Sequence, residues 1–428
     1  MQKKSETSLS RVEKHLLRPS SPYYSMLSEY CHLAKNLYNQ ANYLIRDAFI
    51  KDGKWLRYNE LDKQLKRNTE YSDYRAMPTA QSAQQVLRLL DKNWKSFFSA
   101  IKEWKKNKEK YLGRPKLPKY KAKDGRSILI LTNQNCKYID GKIRFPKSFR
   151  GFETVPEFAG LLASETDIER KNQRIFDSFQ QVRFIPDGTD IVMEIVYTIK
   201  KAPKLVQNGK YAGIDIGVDN MVAMAMNIAS APVIINGRIP KSINQYYNKK
   251  IAEMKSICKQ MTGNYSSAKI RRFSAKRNRK ITDYMHKASR LVIDRCLENN
   301  IRTIVIGQNK EWKQSSKLSA KVNQHFVQLP FAELIQMIEY KAEEHGIAVV
   351  LTEESYTSGT SFLDKEPPVK EYYNKRRRVH RGLFRANDGR LINADINGAF
   401  QIMKKVFPDV TADGIEGVVL RPVTVVAA

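Results

Sequence analysis

Apolar side chains recur at steps of three and four between Tyr24 and Phe49: Leu27, Tyr30, Ala34, Leu37, Ala41, Leu44 and Ala48. That spacing gathers them on one side of an α-helix, so the stretch predicts a long amphipathic helix. A second helix is predicted after "MPTAQSAQQ", with Val86, Leu90, Trp94, Phe97 and Ile101 as its stripe and Thr79, just after Pro78, as its N-cap. From Ser127 to Lys200 the period falls to two. "YIDGKIRF" and "VRFIPDGTDIVMEIVYTI" alternate β-branched and aromatic residues around Asp-Gly pairs, which predicts hairpins. With a short strand within residues 1–18, these stretches predict a small β-barrel or sheet module that the helices interrupt in sequence. From Tyr211 onward the pattern is α/β. Strands "YAGIDIG" and "MVAMAMN" precede a long helical region at about 241–300. Strand "TIVIG", helix "LPFAELIQMIEYKAEEHG", strand "IAVVLTEE" and the acid-headed helix "NADINGAFQIMKKVF" follow. That order suits an RNase H-like core.

Length and charge narrow the picture. A chain of 428 residues predicts two or three domains. Its 75 Lys and Arg exceed its 44 Asp and Glu, a net charge of +31 spread along the whole chain. An excess of that size points to a polyanionic partner, and nucleic acid fits best. Residues 101–126 hold eleven basic side chains against three acidic ones, with Tyr111 and Tyr120 interleaved. The segment reads as a solvated linker or, better, as a phosphate-gripping loop whose tyrosines stack on bases. Residues 241–290 carry fourteen Lys or Arg and two acids, centred on "KIRRFSAKRNRK". Cys31, Cys136, Cys258 and Cys296 form no C-x-x-C pair, which excludes a cysteine-based zinc ribbon and argues against a disulfide framework. No apolar run approaches eighteen residues and the N-terminus is polar, so a soluble, intracellular protein is expected.

Against that basic background the acids in the α/β half stand out. Asp215 lies inside an apolar strand, where a lone carboxylate must be paired, hydrogen-bonded or metal-bound. Glu353 and Glu354 end a later strand, and Asp395 opens the last helix. Each has an ordinary structural use: Asp215 in a turn with Gly217, Glu354 on the surface, Asp395 as an N-cap. Together they match what two-metal phosphodiester cleavage needs, carboxylates from distant segments converging on Mg²⁺ ions ~3.5–4 Å apart. Mg²⁺ takes hard oxygen ligands and keeps several waters, so three carboxylates suffice.

"GIDIGVDNMVAMAM", "DYMHKASRLVIDRC", "EESYTS" and "NADINGAF" resemble the three RuvC segments of the TnpB proteins encoded by bacterial and archaeal insertion sequences. "PTAQSAQQVLRLLDKNWKSFF" and "GRPKLPKYK" extend the likeness to the N-terminal half, so that it covers nearly the whole chain. The resemblance implies an RNA-guided DNA endonuclease, related to type V CRISPR effectors, that is monomeric, cytoplasmic and associated with the nucleoid. It implies a multidomain α+β and α/β fold: wedge β-barrel at 1–20 and 123–208, helical recognition domain at 21–122, and RNase H-like RuvC nuclease at 209–428. Its partners would be a guide RNA from the element's end and double-stranded target DNA beside a short motif, with no membrane. Asp215, Glu354 and Asp395 would bind Mg²⁺, with Mn²⁺ as a substitute. Arg114, Lys116 and Lys119 in one belt, and Arg271, Arg272, Lys276, Arg277, Arg279 and Lys280 in the other, would grip nucleic acid.

Two departures qualify the likeness. Many relatives place the second catalytic glutamate just after the strand that is "TIVIG" here; Glu354 stands in for it, with Glu353 as the fallback. Relatives often carry a four-cysteine zinc ribbon at about 356–392, where this chain has Ser361, Asp364, Arg385 and Asp388, so no zinc is expected. A salt bridge from Arg385 to Asp364 or Asp388 would hold that loop instead. Two other functions remain open: a nuclease-inactive RNA-guided repressor, and a guide-free transposase or resolvase-like enzyme.

Overall fold

The computed structural model describes residues 8–68, 73–158, 176–308, 328–380, 382–411, 417 and 420–427. Residues 1–7 and 159–175 of the expected barrel segments, and 309–312 after "TIVIG", lie outside the described residues. The chain divides into two compact units, Met1–Lys200 and Lys201–Ala428.

The first unit opens with strand β1 (Ser8–Leu17) and four helices: α1 (Tyr24–Asp52), α2 (Tyr58–Arg67), α3 (Asp73–Ala76) and α4 (Ala80–Lys106). The predicted stripes of α1 and α4 face each other. Trp94 of α4 is fully buried, and its indole N–H donates to Asn42 Oδ1 on α1 at 3.0 Å. Thr79 caps α4 as expected, accepting from Ser82 N at 3.0 Å. Helix α2 went unanticipated because it buries only Leu61 and Leu65, too few positions to register as a period.

Strands β2 (Leu129–Thr132), β3 (Lys137–Ile139), β4 (Lys142–Arg144), β5 (Glu153–Thr154), β6 (Phe176–Asp187) and β7 (Asp190–Lys200) complete the unit. The β3–β4 turn is Asp140-Gly141, both at positive φ (52° and 74°), as an Asp-Gly hairpin requires. In the β6–β7 hairpin Asp187 pairs with Asp190, so the two-residue loop is Gly188-Thr189. β1 pairs with β7 along its whole length, Ser8 opposite Lys200 through Leu17 opposite Ile191. The N-terminal strand thus joins the later hairpins, as the interrupted module predicts. Among the described residues the strands form two sheets, β1-β7-β6-β2 and β3-β4-β5.

Among the described residues the second unit is built on a six-stranded mixed sheet in the order β12-β11-β8-β9-β10-β16. Its strands are β8 (Tyr211–Asp215), β9 (Asn220–Met226), β10 (Val233–Asn236), β11 (Thr303–Gly307), β12 (Ala348–Thr352) and β16 (Val423–Val425). β8, β11 and β12 run parallel, and β9 is antiparallel to β8. The predicted helical region is two helices, α5 (Arg238–Thr262) and α6 (Ala268–Glu298), broken after Gly263 at φ 70°. α7 (Phe331–Glu344) and α8 (Ala394–Val406) follow, with a small sheet of β13 (Arg378–His380), β14 (Leu383–Arg385) and β15 (Leu391–Asn393) just before α8. Among the described residues no helix is long and apolar enough to cross a membrane.

Candidate active site

Parallel pairing sends the carboxyl ends of β8, β11 and β12 to one edge of the sheet, the edge where open α/β sheets bind ligands. Asp215 is the last residue of β8, and Glu353 and Glu354 directly follow β12. α8 brings Asp395 there by lying flush on the sheet. A Cβ on Gly213 of β8 would stand 2.1 Å from Ala399 O of α8, and one on Gly307 of β11 would stand 2.5 Å from Ile402 Cδ1. On the helix side, a Cβ on Gly398 would stand 2.8 Å from Asp215 Oδ2. Three glycines therefore clear the space that lets α8 press against the strand ends and Asp215.

Asp395 is not the N-cap of α8. Asn393 is: its Oδ1 accepts from Asp395 N at 3.0 Å and from Ile396 N at 3.2 Å. This frees the Asp395 carboxylate to turn outward from the cap. Its Oδ2 accepts from Asn220 Nδ2 at 2.7 Å, and its Oδ1 lies 3.7 Å from Arg378 Nη2. Burial pushes the Asp215 carboxyl up to about 8, with the Asp395 and Glu354 carboxylates adding to the rise and Arg378 opposing it. The three sequence-predicted acids thus share one electrostatic environment despite a chain separation of up to 180 residues.

Glu353 takes another direction. It accepts from Ser355 N at 2.7 Å and forms an ion pair with Lys405 of α8 at 2.9 Å. Burial alone would raise its pKa, but these hydrogen bonds together hold it below the ordinary carboxylate value. Asn220 and Arg378 were missed by sequence reasoning. Asn220 follows a strand turn two residues beyond Val218, and Arg378 belongs to a strongly basic run, so neither carried a distinguishing signal.

Among the described residues no group of three His, Cys, Asp or Glu forms a ready metal cage. The donor set still fits Mg²⁺. All three acids offer hard oxygens, and the carboxylate repulsion that adds to the burial-driven rise of Asp215 is what a divalent cation relieves. A pH dependence follows. The folded pKa of about 8 exceeds the ordinary 3.8, so this group's contribution to stability is full below pH 4 and is lost as pH rises through 8. In a chelator, Asp215→Asn should therefore melt above wild type at pH 8, by several degrees, and match it near pH 4. Thermal melts across pH, with and without Mg²⁺, check this; a constant difference at all pH values would contradict it.

The insertion before α8 is held by a different arginine from the expected one. Arg377, not Arg385, carries its ion pairs: Nη1 lies 2.7 Å from Glu366 Oε2 and 3.5 Å from Asp364 Oδ2, and Nη2 donates to Asn387 Oδ1 at 2.6 Å. Arg377 is well buried there, whereas Arg385 is exposed and Asp388 pairs with Arg390. Glu366 also accepts from Ser361 N at 2.8 Å, and Asp364 from Asn387 N at 3.0 Å. One guanidinium thereby gathers segments 361–366 and 387. Removing it strands two carboxylates, which costs about 3–5 kcal/mol when the charges are buried. Arg377→Gln should lower the melting temperature clearly, while a zinc chelator should leave wild type unchanged. One tightly bound zinc per chain in elemental analysis would contradict the second expectation.

The basic residues divide into two kinds. Arg114, Lys116, Lys119, Arg271, Arg272, Lys276 and Lys280 are exposed, and Arg279 is half-buried. Arg277 is engaged within the fold: its Nε donates to Asn244 Oδ1 at 2.7 Å, its Nη2 to Gln328 O at 2.9 Å, and it lies over the Tyr247 ring. It ties α6 to α5, so its guanidinium is already used.

Two family models match the chain. One, described as "Probable transposase", covers residues 194–313, and the other, "Cas12f1-like, TNB domain", covers 331–402. The first span contains Asp215; the second contains Glu354, the insertion and Asp395. The TnpB-like protein ORF457 of Acidianus two-tailed virus is 23% identical over 411 residues, which is 91% of this chain and 85% of that protein. Among solved structures, a chain of the Cas12f1–sgRNA–target DNA complex is 16% identical with a TM-score of 0.35, covering 92% of this chain and 98% of that one. A chain of the CRISPR-Cas12f ternary complex has the same identity and TM-score, covering 88% and 81%.

Proposed function

We propose that the chain is a member of the TnpB family and an RNA-guided DNA endonuclease whose cutting site is built on Asp215, Glu354 and Asp395. The observation that supports the reading is Asp215 at the carboxyl end of β8, near enough to Glu354 and Asp395 of two distant segments for their charges to raise its pKa. A chain of +31 that binds polyanions gains nothing for folding from such a cluster. The cluster makes sense where a divalent cation and a phosphodiester meet it.

In this reading residues 209–428 are the RNase H-like RuvC nuclease, 1–20 with 123–208 the wedge, and 21–122 the recognition domain. The pairing of β1 with β7 supports the two-part wedge. Asp215, Glu354 and Asp395 hold Mg²⁺, which when bound neutralises charge on the phosphate and lowers the pKa of its water. Asn220 orients the Asp395 carboxylate through its 2.7 Å hydrogen bond. Arg378 sets a guanidinium beside Asp395, where it neutralises local negative charge as a phosphate approaches. The exposed basic residues grip guide RNA and heteroduplex by backbone and shape, and base pairing reads the sequence, as in RNA-guided systems generally.

The test is direct. The protein is co-expressed with the RNA flanking its gene, the co-purified RNA is sequenced, and a duplex matching it is offered beside a randomised motif with Mg²⁺. Cleavage next to one selected motif is expected. Guided binding without cleavage would leave an RNA-guided repressor, and cleavage independent of RNA would leave a guide-free enzyme; either overturns the proposal.

A further inference from the structure

The basic segment after α4 has neither helix nor strand between residues 114 and 121, yet its backbone is fixed. One stripe of α1 holds it. His32, as its Nδ1–H tautomer, donates to Gly125 O at 3.2 Å, and Lys35 Nζ donates to Lys123 O at 2.6 Å. Asn39 donates to Lys121 O at 2.9 Å and accepts from Lys121 N at 2.8 Å; Asn42 donates to Pro118 O at 3.0 Å. The helix positions step by three, four and three, which keeps them on one face. The carbonyls they hold descend from 125 to 118 in the opposite direction, so the strap runs extended and antiparallel along the helix.

This arrangement is costly for an ordinary linker. Lys35 and Asn42 are buried at 4% and 0% exposure, and burying an ammonium requires a specific return. The row leaves Arg114, Lys116 and Lys119 exposed. Fixing the backbone beneath a set of cations removes the ordering cost that a loose basic loop would meet on binding. Of the two tyrosines that sequence reasoning assigned to bases, Tyr120 has the Arg46 guanidinium 4.9 Å over its ring; the Lys121 ammonium lies 4.8 Å over Tyr38 of α1. What the strap offers is charge at fixed positions, and the matching ligand is a regular polyanion.

We propose that residues 114–123 form a preorganised strap that binds a nucleic-acid phosphodiester backbone irrespective of base sequence, with Asn39 as its positioning residue. The proposal rests on the reading above that the chain works on nucleic acid. It adds that affinity here depends on how the backbone is held and not on charge alone.

The full chain is titrated with a mixed-sequence single-stranded RNA and a mixed-sequence DNA duplex over a salt series. Arg114→Gln/Lys116→Gln/Lys119→Gln should flatten the slope of log affinity against log salt, by about 2 for the single strand or nearly 3 for the duplex if every cation meets a phosphate. The probe with the larger change identifies the strand type. Asn39→Ala keeps every charge but loses both bonds to Lys121. Its salt slope should stay near wild type, its affinity should fall, and trypsin should cut the free protein within 114–123 about tenfold faster. An unaltered slope for both probes in the triple variant overturns the strap, and wild-type affinity and trypsin pattern in Asn39→Ala overturn the positioning role. If the strap variants behave as wild type while guided cleavage persists, only this proposal falls. If wild type binds neither probe, the nucleic-acid reading falls with it.

Discussion

Loaded with guide RNA, Asp215→Ala protein should bind a matching duplex as wild type does and cut none of it. The expected loss of cleavage is at least about a thousandfold, on the order of 4 kcal/mol of barrier. Binding survives because it comes from base pairing and phosphate contacts, to which this carboxylate contributes nothing. The fold survives because Asp215 ends its strand, and alanine is smaller and removes a charge that its neighbours oppose. Asp395→Ala should behave alike, since Asn393 and not Asp395 caps α8. A gel-shift assay and a cleavage assay on one preparation separate the two readouts. Full cleavage by Asp215→Ala would end the RuvC reading.

The parts of the chain that could be read from its letters are those where burial imposes a period. The stripes of α1 and α4, the alternation of β6 and β7, and the acid at the end of β8 all follow from one face meeting a core. Elements without that constraint were not legible. β13, β14 and β15 are three residues each, and among the described residues β16 pairs with β10 alone, which lies nearly two hundred residues earlier. Nothing local marks such strands, because tertiary pairing alone makes them strands.

The site divides in the same way. Its acids were legible because a carboxylate in an apolar strand is an anomaly that demands a cause. Its neutral and cationic members were not. The Asn393 cap, the Asn220 hydrogen bond and the choice of Arg377 over Arg385 depend on which side chain the backbone points inward. In a run such as "NKRRRVHRGLFR" six Lys and Arg offer the same charge, and only the fold picks Arg377 to be enclosed.

Glu354→Gln should remove nearly all cleavage, by about a hundredfold or more, while Glu353→Gln should cost a few-fold at most. Glutamine keeps the shape of either side chain and removes its charge. At 354 that charge reaches Asp215 and helps raise its pKa, so it belongs to the cluster that a cation would neutralise. At 353 the carboxylate is spent on Ser355 and on Lys405, which tie the end of β12 to α8. Replacing it loosens a surface ion pair, whose worth is about 0–1 kcal/mol, and leaves the cluster intact. The two variants differ by one position, so a melting curve for each removes any difference in folding from the comparison. Should Glu353→Gln be the inactive variant and Glu354→Gln the tolerated one, the chain after β12 presents the other carboxylate to Asp215 and Asp395, and the assignment of the second acid passes to Glu353.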